Sequence, residues 1–326
     1  MNNEKIDISI LITSITQREI TINTARYYSE ICNEVIIVDE EKPHLSYSDI
    51  EALNNKGIIY IPYKGGCNKT SLYPTYEKRL IAATNSNKNY VVHSNHDERY
   101  TYKGLMACVT ELENNSDLTF CVGQCVAVRR DNIGFFYTRS YECLKNYQNI
   151  NKTLDRLYYH ADIYAPVGHY GVWRKEQYID ASKKTLFVHN AIPSTTMMEE
   201  VIFELAADLT GNSKAVPELF WIRNRINPPS GNSTEKGKNV FSHMEKKFEI
   251  LFSDLNNVKI ERITKSFWKN FAFIRLNFYE KTIIFFKRNI RKILKKKKSR
   301  DIIAFLQDDI SFDENDLLNA LESLEI

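Results

Sequence analysis

The sequence predicts an α/β protein, with a mainly parallel, Rossmann-like sheet flanked by helices and a helical C-terminal extension. Three observations carry this. Short unbroken runs of β-branched and aliphatic residues recur along the first hundred residues, as in strands covered on both faces. Helical patterns separate them at the spacing of βαβ units. Beyond about residue 260 the composition shifts to a basic and then an acidic segment.

Taken in order, "DISILIT" (Asp7 to Thr13) is the first buried strand, and Glu19 to Ile31 is a helix with Ile20, Ala25, Tyr27, Tyr28 and Ile31 available for packing. "EVIIVDEE" (Glu34 to Glu41) is a second strand that ends in acids. Residues 48–56 read as a helix, "GIIYIPY" as a third strand, "GGCNKTS" as a loop, Pro74 to Asn85 as a helix and "NYVVHS" as a fourth strand. A helix over Gly104 to Glu113 precedes "LTFCVGQCVAVRRDNIGFFYTRSYE", which predicts two strands joined near Asp131-Asn132. Residues 141–160 read as helical, and "YAPVGHYGVWRKE" as a glycine-punctuated loop between strands. "STTMMEEVIFELAADLTGNSKAV" combines a capping pattern with apolar residues at helical spacing, closed by Gly211. "PELFWIRNRINPPSGNSTEKGKN" runs from a short strand into the clearest flexible loop.

Composition narrows the function. The 326 residues are 43% apolar and 26% charged, enough for a substantial core. A net charge of +3 implies no strong global pull on nucleic acid. The N-terminus has no basic region or cleavage pattern of a secretory signal, and no run approaches the roughly 18 apolar residues of a membrane span. The six cysteines show no Cys-x-x-Cys spacing, so they are expected to be reduced, mostly buried thiols in the cytoplasm.

The chemical signal lies where strands end. In open parallel sheets ligands sit beyond the carboxyl ends of the strands, and Asp39 and Asp97 fall at two such ends. "YVVHSNHDERY" (residues 90–100) is either a simple acidic exit from a strand or a metal site. Asp97 is a hard oxygen ligand, Asn95 offers a carbonyl oxygen, and His96 suits Mn²⁺ better than Mg²⁺. A cationic clamp of Lys or Arg would serve a phosphate as well.

Together, "ILITSITQR", "VIIVDE" and "YVVHSNHDERY" resemble the nucleotide-sugar-binding half of GT-A glycosyltransferases, particularly the family 2-like group. The resemblance covers about residues 5–228. It implies a GT-A nucleotide-sugar-binding and catalytic domain over 1–230, a flexible connecting segment over 231–258 and a helical extension over 259–326. It places Thr13, Ser14 and Arg18 around the nucleotide, with the family's usual proline replaced, and Asp39 on the nucleoside. The triplet Asn95-His96-Asp97 matches the family's Asp-x-Asp, whose last carboxylate holds a divalent cation (Mn²⁺ or Mg²⁺) on the diphosphate. Lys78 matches a basic or amide position near the nucleotide, and "VGHYGVWR", with His169 and Gly171, matches the floor beneath the donor sugar. Glu199 or Glu200 would be the general base, at a helix start where the dipole also favours acids. Arg223 would bind the diphosphate, and His243 would complete the metal shell.

The function implied is an inverting transfer of a sugar from a nucleotide-diphosphate donor to a glycan or lipid-linked acceptor in bacterial surface-polysaccharide synthesis. The ten basic residues between Lys281 and Arg300, interleaved with Phe and Ile, are either a solvated helical face or a contact with an anionic membrane surface. That expectation places the enzyme in the cytoplasm, peripherally on the inner membrane face, with no nucleic-acid partner. Two alternatives remain open: a nucleotidyltransferase, although "TSITQR" lacks the glycines of a triphosphate loop, and a degenerate GT-A domain serving as a non-catalytic subunit or scaffold.

Overall fold

The structure is a computed structural model and describes residues 4–14, 17–65, 73–131, 134–147, 149–192, 196–225, 244–271, 302–306 and 310–324. Four strands form a parallel half-sheet: β1 (Ile6–Ser14), β2 (Cys32–Asp39), β3 (Ile58–Pro62) and β4 (Tyr90–Ser94), in the order β3-β2-β1-β4. Between them run α1 (Arg18–Ile31), α2 (Tyr47–Asn54) and α3 (Tyr73–Asn85). These strands are apolar throughout because both faces are covered, and Ile8, Ile10, Ile12, Val35, Ile37, Val91 and Val92 are fully buried or nearly so. The register aligns Ser14 with Asp39 and Asp39 with Pro62. The carboxyl ends of β1, β2 and β3 therefore share one edge, and β4 reaches it at Ser94, opposite Ile12.

The second half of the sheet is mixed. β5 (Glu98–Tyr100) is followed by α4 (Tyr102–Asn114), the long β6 (Leu118–Asp131) and β7 (Gly134–Ser140). A 3₁₀ turn over Glu142–Asn146, α5 (Thr153–Ile163) and the short α6 (Val167–Tyr170) lead to β8 (Val172–Arg174). Then come α7 (Lys175–Ala191), α8 (Thr196–Thr210) and β9 (Asn212–Asn224). The sheet continues from β4 through β8, β6 and β9 to β5, with β7 on β6. β4–β8, β8–β6, β6–β7 and β9–β5 are antiparallel, and β6–β9 is parallel. The expected parallel order thus holds for the first four strands, and the sheet as a whole is mixed.

One feature of this order shapes the site. β4 and β5 are separated by only Asn95, His96 and Asp97, yet three strands lie between them in the sheet. The four Cα steps from Ser94 to Glu98 span about 14 Å at most, so the sheet must curl until its last strand returns to β4. The curl closes at the turn 95–97.

Three sequence expectations are revised. Residues 141–160 are not one helix: the 3₁₀ turn ends at Asn146, and α5 begins at Thr153. The glycine-punctuated segment after Ala165 holds α6 and β8 instead of an open loop, and α7 was not anticipated. The sequence of β5 reads as a polar exit from β4, but pairing with β9 through Glu98↔Arg223 and Tyr100↔Trp221 makes it a strand.

Downstream, α9 (Met244–Leu251) and α10 (Ile260–Phe271) pack against α5 and α8 in a satellite core of Leu157, Ile202, Leu205, Phe248, Ile263 and Phe267. α11 (Ile302–Leu306) and α12 (Glu314–Glu322) return to the sheet, where Leu306, Leu317 and Leu321 meet Val126, Val128 and Ile222. Asp316 accepts the backbone N–H groups of Tyr102 and Lys103 at 2.7 Å each, capping the start of α4. The described cysteines are all free, and all but Cys143 are buried. Among the described residues no helix is long and apolar enough to cross a membrane.

Candidate active site at the closed edge of the sheet

The carboxyl ends of β1 and β2 carry a tight polar cluster. Asp39 is wholly buried. Its Oδ2 accepts from Arg18 Nε and from the Tyr60 hydroxyl, both at 2.6 Å, and its Oδ1 accepts the Glu41 N–H at 3.1 Å. Arg18 also donates to the Glu41 carbonyl, and its own N–H goes to Glu41 Oε2 at 3.0 Å. Asp39 thus fixes Arg18 at the rim, and burial followed by the bond to Asp39 raises the Tyr60 phenol to about 12. Ser14 lies at the end of β1, where its carbonyl receives Lys78 Nζ at 2.9 Å, and Thr13 is half-buried beside it.

Lys78 and Arg79 are buried on α3, contrary to the solvated face that charged helix residues usually occupy. Lys78 reaches Glu40 at 2.8 Å. Arg79 lies against His169, its two terminal nitrogens 3.2 and 2.9 Å from the imidazole nitrogens. Arginine only donates, so His169 is neutral here. Burial first, then Arg79 and Arg223, hold its pKa well below the ordinary histidine value. His93, on β4, is held low for the same first reason, and neither of its ring nitrogens has a partner among the described residues.

The turn after β4 divides its acids between two tasks. Glu98 is buried: its Oε1 accepts from Arg223 Nε at 2.8 Å and its Oε2 from Asn95 Nδ2 at 3.2 Å. Arg223 is stacked on Trp221, 4.6 Å from the ring centroid, and donates to the hydroxyls of Tyr141 and Tyr170. Burial opposes its charge, but Glu98, Tyr170 and Tyr141 together more than offset burial, so Arg223 is a fixed cation, 8% exposed. Asp97, by contrast, is exposed, and its side chain bonds to no described residue. Its backbone carbonyl accepts from Asn224 at 3.3 Å. His96 is partly buried, and its carbonyl ties the turn to Thr24 at 2.8 Å.

A divalent cation was expected here. The described residues offer one exposed carboxylate (Asp97) beside Asn95 and His96, and among them no group of three or more His, Cys, Asp or Glu side chains could hold an ion. Such a donor set fits an ion shared with substrate phosphates, as Mg²⁺ commonly is, and not a preformed cage. His243 lies outside the described residues.

Helix α8 separates the two candidate bases. Glu199 is 1% exposed; its Oε1 is 2.7 Å from His189 Nδ1 and 3.5 Å from Lys247 Nζ, so it ties α8 to α7 and α9. Glu200 is half-buried and accepts from the Tyr164 hydroxyl at 2.5 Å. α6 reaches the turn: Asn95 Nδ2 donates to the Tyr170 hydroxyl at 3.2 Å, and Gly171 continues the buried segment into β8. Burial raises the phenols of Tyr141 and Tyr170, and the carboxylates of Glu98 and Glu200 both add to the rise. Those two tyrosines therefore sit within electrostatic reach of both acids.

The structure thus brings Asn95, Arg223 and His169 into one neighbourhood, with Glu200 in electrostatic reach of its tyrosines. Thr13, Ser14, Arg18, Asp39 and Lys78 form a second cluster along the same edge. Sequence reasoning missed Glu98, Tyr141 and Tyr170 as site residues. Glu98 stood next to Asp97, but its partner Arg223 is 125 residues away, and no local pattern announces such a pair.

No protein-family model matches the chain, and no curated protein matches it by sequence. Solved structures do. Staphylococcus aureus TarS superposes with a TM-score of 0.53 at 11% identity, over 83% of this chain and 44% of that one. TarS 1-349 in complex with UDP-GlcNAc gives 0.53 at 11% identity, and with UDP 0.51 at 12%, each over 83% of this chain and 74% of that one. The chain therefore spans less than half of the longer TarS chain. At this identity the likeness establishes the fold, and the expected GT-A-type architecture stands.

Proposed function

We propose that the protein is an inverting glycosyltransferase that moves a sugar from a nucleotide-diphosphate donor, of the uridine diphosphate class, to a glycan or lipid-linked acceptor in surface-polysaccharide synthesis. The carrying observation is Asp97, an exposed, unpaired carboxylate at the closed edge of the sheet, in a fold whose solved neighbours hold UDP and UDP-GlcNAc. In this reading the nucleotide lies along the ends of β1 and β2, with Arg18 held toward it by Asp39. The sugar lies over α6. Glu200 takes the proton of the acceptor hydroxyl as that oxygen attacks the anomeric carbon, and the bond from that carbon to the diphosphate breaks on the opposite side. Glu200 is preferred to Glu199 as the base in this reading because the Glu199 carboxylate is buried against His189 and Lys247.

A divalent ion, held by Asp97 with Asn95 and His243, would neutralise charge on the departing diphosphate. Arg223 acts at second hand, keeping Glu98 and the two tyrosines in place. Peripheral contact with an anionic membrane through residues 281–300, outside the described residues, belongs to the same reading.

The test is donor hydrolysis and transfer with UDP-, GDP-, CMP- and dTDP-sugars, with and without Mn²⁺. Turnover of a UDP-sugar supports the proposal. No turnover of any donor, with the protein folded, leaves the scaffold alternative standing and overturns it.

A further inference from the structure

Helix α8 carries three acids one turn apart, Glu200, Glu204 and Asp208, at the spacing that puts them on one face. The middle one has no part in the transfer proposed above, yet it is wholly buried. Its two oxygens each accept one backbone N–H of α6, Gly168 to Oε2 at 2.8 Å and His169 to Oε1 at 2.7 Å. Because both donors are main-chain groups, Glu204 fixes the path of the α6 backbone. The approach is close: a Cβ on Gly168 would lie 2.8 Å from Ala207 Cβ and 3.1 Å from Glu204 Oε2.

Glu204 faces a cation on α5. His160 Nε2 stands 3.5 Å from Glu204 Oε2. Its two ring nitrogens face acceptors, Asp208 Oδ2 at 2.8 Å and the Ala165 carbonyl at 2.7 Å. Satisfying both requires a proton on each nitrogen, so His160 is an imidazolium. Burial works against that charge, but Asp208 and then Glu204 lift its pKa to about 9.

The docked segment carries His169, which lies against Arg79, and Tyr170, which meets Asn95 and Arg223. We propose, resting on the glycosyl-transfer reading above, that Glu204 is a positioning residue: by holding the α6 backbone on α8 it sets the place of the Asn95–Glu98 turn relative to Glu200, and with it the affinity for the donor.

The test compares Glu204→Gln with Asp208→Asn. The first replaces one acceptor oxygen by an amide N–H₂ facing a backbone N–H. The second weakens the His160 pair and leaves both backbone bonds. Melting temperature, kcat and KM are measured with UDP-GlcNAc, or with the donor of the panel that is turned over. Glu204→Gln is expected to raise KM at least about tenfold with kcat within about threefold, while Asp208→Asn lowers the melting temperature and leaves KM unchanged. Equal losses of melting temperature with KM unchanged in both variants overturn the proposal.

Backbone amide exchange on the wild-type protein decides the docking itself, even if Glu204→Gln fails to fold. Slow exchange at Gly168 and His169 supports it, and exchange as fast as in exposed loops overturns it. A wild type with slow amides and no turnover of any donor rejects the transfer reading and the effect on donor affinity, and leaves the docking supported.

Discussion

Asp97 and Glu98 are neighbours in sequence with opposite surroundings. Asp97 is exposed and bonds to no described residue, whereas Glu98 is buried against Arg223 and Asn95. Asp97→Ala should therefore cut donor turnover about a hundredfold or more, the scale of losing a group that stabilises the transition state, without moving the melting temperature. Unchanged turnover would remove Asp97 from the site. A calorimetric titration with Mn²⁺ should show binding only when UDP is present, because one carboxylate alone makes a weak site; tight binding without nucleotide would contradict the shared-ion arrangement. The pair Glu199 and Glu200 divides in the same way. Glu200→Gln should lower kcat by about 10² to 10⁴ with stability retained. Glu199→Gln should cost about 3 kcal/mol of stability, because it leaves the buried Lys247 and His189 without their carboxylate. Chemical denaturation of both variants beside their kinetics separates the two roles. The acids themselves were legible in the sequence as strand-end and helix-start residues. Their exposure was not, because it depends on partners such as Arg223 and Lys247 that arrive from distant strands and helices.

At the scale of elements, α6 and α8 act as one unit. Gly168→Ala should force α6 away from Ala207 and Glu204, costing about 1–3 kcal/mol, and urea unfolding reads that loss directly; a variant as stable as the wild type would mean that α6 rides loosely on α8. The strands β1 to β4 were legible because each is a continuous apolar run. β5 was not, since "ERY" has no such run and becomes a strand only by pairing with β9. α7 escaped notice because its apolar residues are sparse and interrupted by Lys and Asp. Its burial comes from contact with α3 and α8 and not from a strong stripe of its own.

For the whole molecule, buried histidines set opposing pH dependences. Burial holds the folded pKa values of His93 and His169 well below the ordinary histidine value of about 6.5, so they bind protons mainly in the unfolded chain, and stability is lost as pH falls below about 6.5. His160, raised to about 9, and Glu204, raised to about 8 chiefly by burial, bind protons more readily in the folded chain. The stability from His160 is complete below about 6.5 and is lost as pH rises toward 9; that from Glu204 falls between about 4.5 and 8. Urea midpoints should therefore peak near pH 6.5 and decline at 5.5 and at 8.5. A monotonic rise with pH would show that the alkaline arm is absent.

The alternation of strands and helices and the acids at strand ends are legible in the chain, because apolar runs and helical periodicity are local properties, and the GT-A-type resemblance is carried by three short motifs. Contacts between distant residues decide that the sheet curls back on the three-residue turn 95–97, that Glu98 is consumed by Arg223 while Asp97 stays exposed, and that Glu199 is buried against His189 while Glu200 is half-buried beside Tyr164. The reason is physical. Which carboxylate keeps its reactivity depends on which cations and donors the fold packs against it, and those contacts join residues far apart in the chain.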